Sequence, residues 1–119
     1  MATLVDRAGL RPERLVVDPG IGFGKRLEHN LQLLAAIPRI ERMCGRPVLI
    51  GLSRKSFLGA ITGRDAQSRL AGSLAGLVYC ILRGARILRV HDVKESADAL
   101  KVALALRDAE SQIEQIGYR

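Results

Sequence analysis

Three clusters of polar and glycine residues stand out against an otherwise aliphatic chain: Asp18-Pro19-Gly20-Ile21-Gly22-Phe23-Gly24-Lys25, Gly51-Leu52-Ser53-Arg54-Lys55-Ser56 and Arg89-Val90-His91-Asp92. The first sets a carboxylate ahead of a glycine-rich loop. Asp and Pro favour turns and each Gly allows positive φ, so the segment is either a plain turn or a fixed carboxylate beside a loop that a ligand can approach closely. It is not a Walker A loop, because Pro19 stands where the first Gly is needed and Arg26 where a Ser or Thr must follow the Lys. Nor does its glycine spacing match a dinucleotide fingerprint.

The second cluster places two hydroxyls, Ser53 and Ser56, and two cations, Arg54 and Lys55, directly after an apolar run. Taken alone it reads as a solvated basic turn opening a short helix. At the rim of a sheet the same groups serve an anion or a heterocycle. In the third cluster, strand alternation puts Arg89 and His91 on one face. They form a fork for a phosphate-like group, unless Arg89 pairs with Asp92 or a neighbouring carboxylate and His91 is a hydrogen-bonded core residue.

Each cluster ends a short run of branched apolar residues: Leu15-Val16-Val17, Val48-Leu49-Ile50-Gly51-Leu52 and Ile87-Leu88-Arg89-Val90. The second run is apolar on both faces, as in a buried parallel strand. Helical spacing follows each run. Glu28 to Ile37 carries Leu31, Leu34 and Ala35 on one face, with Pro38 opening a further turn or two through Met43. Asp65 is the expected N-cap of a helix bearing Leu70, Leu74, Leu77, Val78 and Ile81, stopped at Gly84. The last helix, from Lys94 to Ile116, carries two apolar stripes, Ala97-Leu100-Leu104 and Val102-Leu106-Ala109-Ile113. A short helical piece is expected at Thr3 to Ala8. The order β-α-β-α-β-α predicts an α/β fold with parallel strands joined by right-handed crossovers. All three clusters then fall at the C-terminal ends of successive strands, where the active sites of α/β barrels gather.

Composition narrows the classes. The 119 residues are 48% hydrophobic, which suits one folded unit with no second domain, and only 3% aromatic, so the core is aliphatic. The net charge is +7, but the 19 basic residues are scattered and few rings are available to stack on bases, which argues against a nucleic-acid surface. Apolar stretches fall well short of the ~20 residues of a membrane span, and the first residues lack a signal peptide's basic and apolar regions. No membrane contact and a cytoplasmic location are expected. Cys44 and Cys80 have neither CxxC spacing nor a nearby His cluster, so no metal ligand set is predicted.

In this order and spacing, DPGIGFGK, GLSRKSFLG and GARILRVHDV resemble the sixth, seventh and eighth strand signatures of dihydropteroate synthases. The likeness runs from about Ala8 to Ala109. Related pterin-binding methyltransferases do not carry the Ser-Arg-Lys strand end. The resemblance implies that residues 1–119 are the last three βα units of a (β/α)₈ TIM barrel, too short to be the whole domain. It implies an enzyme of folate biosynthesis, a transferase that condenses 6-hydroxymethyl-7,8-dihydropterin diphosphate with p-aminobenzoate. Asp18 would bind the pterin's amino and ring N–H edge, and Lys55 its carbonyl and ring nitrogen. Arg89 and His91 would hold the diphosphate with the Val90 backbone between them, so that Lys55, Arg89 and His91 carry the catalysis. Phe23 and Ser56 would border p-aminobenzoate, with Lys25 and Ser53 in supporting loops. The family implies Mg²⁺, associated with an Asn in an N-terminal motif that this chain lacks, and a homodimer in the full-length enzyme. Without that motif and the earlier strands the chain alone is expected to be inactive. The rival reading is a non-catalytic pterin-binding subunit or interaction module that pairs with another chain.

Overall fold

In the computed structural model, residues 11–22, 24, 26–115 and 117 are described. The helix expected at Thr3 to Ala8, and Phe23 and Lys25, lie outside them.

The apolar run from Val48 to Leu52 organises the rest. Val48, Ile50 and Leu52 are all buried and Leu49 is half-buried, so this segment is fully covered on one face and partly on the other, with neighbours on both edges. Strand β1 (Leu49–Ile50) pairs in parallel with β2 (Ile87–Leu88), with Leu49 opposite Ile87 and Ile50 opposite Leu88. On its other edge Val17 forms a parallel bridge to Val48: Val17 N–H donates to the Pro47 carbonyl at 2.9 Å, and Leu49 N–H to the Val17 carbonyl at 2.8 Å. The sheet therefore has two strands where three were expected, and the Leu15-Val16-Val17 run contributes one rung. The ladder stops there for a local reason. Pro19 has no N–H to donate, and Asp18 folds the chain back by accepting the Gly20 N–H on Oδ1 at 2.8 Å.

Helices α1 (Leu27–Ala35) and α2 (Ile37–Cys44) connect the first run to β1. The break falls at Ala36, ahead of the expected one, because Pro38 is accommodated in the first turn of α2, where its missing N–H costs nothing. After β1 come α3 (Ser56–Thr62), a 3₁₀ turn at Ala66–Ser68 and α4 (Leu70–Leu82). Asp65 caps the 3₁₀ turn, accepting the Ser68 N–H at 3.1 Å, rather than the long helix itself. Gly84, at φ +107°, follows the end of α4 as expected.

The last helix, α5 (Val93–Gln115), packs along α4. Its inward face is Ser96, Ala99, Leu100, Ala103 and Leu104, so only part of the first expected stripe is used and Ala97 is exposed. The second stripe faces outward: Val102 and Leu106 are 61% and 66% exposed.

One aliphatic cluster forms the core, with Ile21, Leu34, Ile37, Val48, Ile50, Leu52, Phe57, Leu58, Cys80 and Ala85 in mutual contact. Each large side chain removed from water here contributes about 1.5–3 kcal/mol. The chain nonetheless exposes 8297 Å², against roughly 6300 Å² for a closed monomer of this mass. Among the described residues no helix is long and apolar enough to cross a membrane.

Burial pushes the Cys80 thiol up from 9.0 to about 12. The folded state keeps this thiol protonated while the unfolded chain ionises it. Its stabilising contribution is intact below pH 9 and is lost as pH rises towards about 12. Chemical denaturation of the native sequence between pH 8 and 11 is expected to lose stability more steeply than Cys80→Ala, by up to about 1.4 kcal/mol per pH unit. Equal slopes for the two proteins would refute a buried, protonated thiol.

Candidate functional site

Because β1 and β2 run side by side in the same direction, the residues that leave them emerge together. Gly51, Ser53, Lys55, Arg89, Val90 and His91 line one recess of about 90 Å³. Gly51 gives the Arg89 guanidinium its seat: a Cβ at position 51 would lie 2.5 Å from Nη2 and 2.8 Å from Cζ. Ser53 is buried and fixes His91, whose backbone N–H donates to Oγ at 3.3 Å and whose Nδ1 lies 3.1 Å from the same oxygen. The Lys55 ammonium donates to the Ile21 carbonyl, which ties the second cluster to the first. Its stem crosses Gly22, where a Cβ would stand 2.9 Å from Lys55 Cδ.

Asp18 sits at the rim. Its Oδ1 is occupied by Gly20, and its Oδ2 is 3.7 Å from Arg89 Nη1, an ion-pair distance between two exposed groups. Asp92 has a different partner. The Arg54 guanidinium engages it with two bonds, Nε to Oδ2 at 3.1 Å and Nη2 to Oδ1. The hydrogen bond from Arg54 holds the Asp92 carboxyl below the usual carboxylate range, and Asp92 in turn raises Arg54. Of the two partners that the alternative allowed Arg89, Asp92 is taken by Arg54, and the neighbouring carboxylate, Asp18, is the one it faces. Arg89 turns to Asp18 and the recess, and His91 is exposed rather than a core residue.

Of the residues singled out in the sequence, Ser53, Lys55, Arg89, Val90 and His91 come together in the recess, and Asp18 stands at its edge. Ser56 is exposed at the start of α3 and does not line it. Phe23 and Lys25 lie outside the described residues. Sequence reasoning missed Asn30, which is 2% exposed and accepts the Gly22 N–H on Oδ1 at 2.8 Å, anchoring the glycine loop to α1. Its signal was a polar residue between Leu27 and Leu34 on the inward stripe of α1. It also missed Gly51 as the seat of Arg89, and Ser73, whose hydroxyl accepts the Arg54 N–H at 2.8 Å.

Two cations, an imidazole and backbone groups around so small a volume suit an anion. A carboxylate at the rim suits the N–H edge of a neighbouring ring. A larger cavity of about 480 Å³ lies between α1, α3 and α4, but its lining is almost wholly apolar. Among the described residues no three His, Cys, Asp or Glu side chains gather as a metal cluster. The Asn that the resemblance associates with Mg²⁺ belongs to a motif this chain lacks, and no step below is routed through the ion.

The family model for pterin binding enzymes matches residues 1–91. The chain is 50% identical over 100 residues to the dihydropteroate synthase of Neisseria meningitidis serogroup C, covering 83% of this chain and 35% of that protein. It superposes on the solved dihydropteroate synthase of Yersinia pestis with a TM-score of 0.84 at 41% identity, over 90% of this chain and 50% of that one. The Xanthomonas albilineans dihydropteroate synthase, solved in complex with 7,8-dihydropteroate, gives a TM-score of 0.84 at 47% identity over 88% of this chain and 40% of its own. The chain spans about a third of the length of curated relatives it matches, the dihydropteroate synthases of two Neisseria meningitidis serogroups. By sequence and by structure, this chain belongs to the pterin-binding enzyme family.

Proposed function

We propose that residues 1–119 are the last three βα units of a TIM-barrel dihydropteroate synthase and carry its diphosphate-reading and pterin-edge groups. The observation behind this is the recess itself: Lys55, Arg89 and His91 converge at the ends of two adjacent parallel strands, with Asp18 at its rim. The relatives' shared name and the 7,8-dihydropteroate held by one of them support the reading.

In this reading Arg89 and His91 grip the diphosphate of the pterin substrate, and the Val90 backbone lies between them. As the methylene C–O bond breaks, its electron pair leaves on the diphosphate oxygen. The guanidinium and imidazole stabilise that growing charge without having to reorganise. Lys55 steadies the pterin carbonyl and ring nitrogen, and Asp18 accepts from the amino and ring N–H edge. The arylamine nitrogen of p-aminobenzoate, bordered by Ser56 and Phe23, attacks the methylene and then gives up a proton to the departing diphosphate. Lys25 and Ser53 act through the loops they support. Orientation supplies much of the rate, so turnover belongs to the whole barrel, read as a cytoplasmic homodimer acting on small molecules. Magnesium would help neutralise the leaving diphosphate.

The proximity of Asp18 to Arg89 couples two roles that the sequence alone would keep apart. Calorimetric titration of Arg89→Ala with inorganic diphosphate is expected to show a loss of about 1.5–3 kcal/mol at low salt, shrinking as ionic strength rises. Asp18→Asn is expected to weaken binding of an uncharged pterin, because an acceptor becomes a donor facing a donor. It should also tighten diphosphate binding a little, by removing the anion 3.7 Å from Arg89. Unchanged pterin affinity in Asp18→Asn, or equal losses of both ligands in Arg89→Ala, would contradict the assignment.

Gly51→Ala probes the seat of Arg89. The atoms displaced are the far end of a flexible, exposed side chain, so the melting temperature should move little. Diphosphate affinity should fall almost as far as in Arg89→Ala. A variant with native affinity would show that the guanidinium position does not matter.

A further inference from the structure

Arg54 is the one non-glycine among the described residues with positive φ, at +57°. For a residue with a Cβ this conformation costs about 1–2 kcal/mol and persists only when its surroundings impose it. They do so on three sides. Its N–H donates to Ser73 Oγ on α4 at 2.8 Å. Its carbonyl accepts from Arg69 Nη1 at 3.0 Å. Its guanidinium grips Asp92 with two bonds.

The position of this strained residue gives it leverage. The turn at 54 sends Ser53 towards His91 and Lys55 towards the Ile21 carbonyl. Asp92, at the other end of the clasp, directly follows His91. The clasp thus joins the two strand-end loops just outside the recess, while the Ser53–His91 contact joins them inside it. Arg54 does not line the recess, and neither does Asp92.

We infer that Arg54 and Asp92 are positioning residues, a latch that holds the Ser53–His91 contact in register and so presents His91 to an anionic ligand. The inference rests on the anion-binding reading of the recess, but the geometry it concerns can be measured with no ligand present.

Amide hydrogen exchange of the full chain, followed by ¹H–¹⁵N NMR, tests it. In Asp92→Asn and in Arg54→Gly the His91 amide is expected to exchange at least tenfold faster. The Leu49 and Arg89 amides, which bond to Val17 and Ile50, should keep their rates. Arg54→Gly is the decisive variant, since glycine adopts φ +57° without strain. If Arg54 served only the backbone turn, His91 would be unaffected, and that result overturns the latch. Acceleration of all three amides together also overturns it, because the pair would then be holding the fold rather than the loop. Arg54→Lys, which keeps the charge but loses the fork, should fall between Arg54→Gly and the native chain. Inorganic diphosphate titrated against the same proteins should bind Asp92→Asn and Arg54→Gly five- to tenfold more weakly than the native chain. Equal affinities would overturn the positioning role. If the native chain takes up no diphosphate, the proposed function fails, and the exchange rates alone decide for or against the latch.

Discussion

The parallel register around Val48–Ile50 is the constraint from which the site follows. Val17 lies opposite Val48 on one edge, and Leu49 and Ile50 lie opposite Ile87 and Leu88 on the other. That alignment brings Asp18, Gly51 and Arg89 to one rim, each a residue or so beyond its last rung. A slip of one residue would turn Ile50 and Leu52 out of the core and point the polar clusters to the wrong face. The burial of Val48, Ile50 and Leu52 opposes such a slip with several kcal/mol of apolar transfer free energy. Hydrophobic packing and functional geometry are therefore fixed by the same few contacts.

Charge is distributed with equal economy of means. A net charge of +7 on a small chain favours anions in general, yet the cations around the recess differ in what they do. Arg54 is committed to Asp92, Lys55 reaches the Ile21 carbonyl, and Arg89 faces both the recess and the exposed carboxylate of Asp18. The Arg89–Asp18 pair is solvated on both sides, so a more highly charged ligand can displace Asp18 at small cost. Arg54 and Asp92, doubly bonded and backed by Ser73 and Arg69, make the firmer joint.

The strands and the clusters that end them were legible because both signals are local. Branched apolar runs mark buried strands, and glycine, proline and charge mark where they stop. What escaped depended either on tertiary partners or on a local choice that the residue types leave open. The weakness of the Leu15–Val17 run comes from Pro19 and the Asp18 turn, which cut the ladder after one rung. The α1–α2 break moved to Ala36 because Pro38 fits the first turn of a helix as well as it ends one. Asn30 interrupts the buried stripe of α1, and its role depends on a bond to Gly22, eight residues away. The exchange of partners, with Arg54 rather than Arg89 taking Asp92, depends on the left-handed turn at residue 54, which nothing in the Ser-Arg-Lys sequence announces.

The central proposal is that Lys55, Arg89 and His91 form one anion-binding recess of a dihydropteroate synthase barrel. A ¹H–¹⁵N NMR titration of the chain with inorganic diphosphate tests it most directly. The account predicts saturable shifts concentrated at the Gly51, Ser53, Lys55, Arg89, Val90 and His91 amides, weakening as salt is added. Shifts spread over the exposed arginines of α2 and the α4–β2 turn, with the recess amides unmoved, would contradict it.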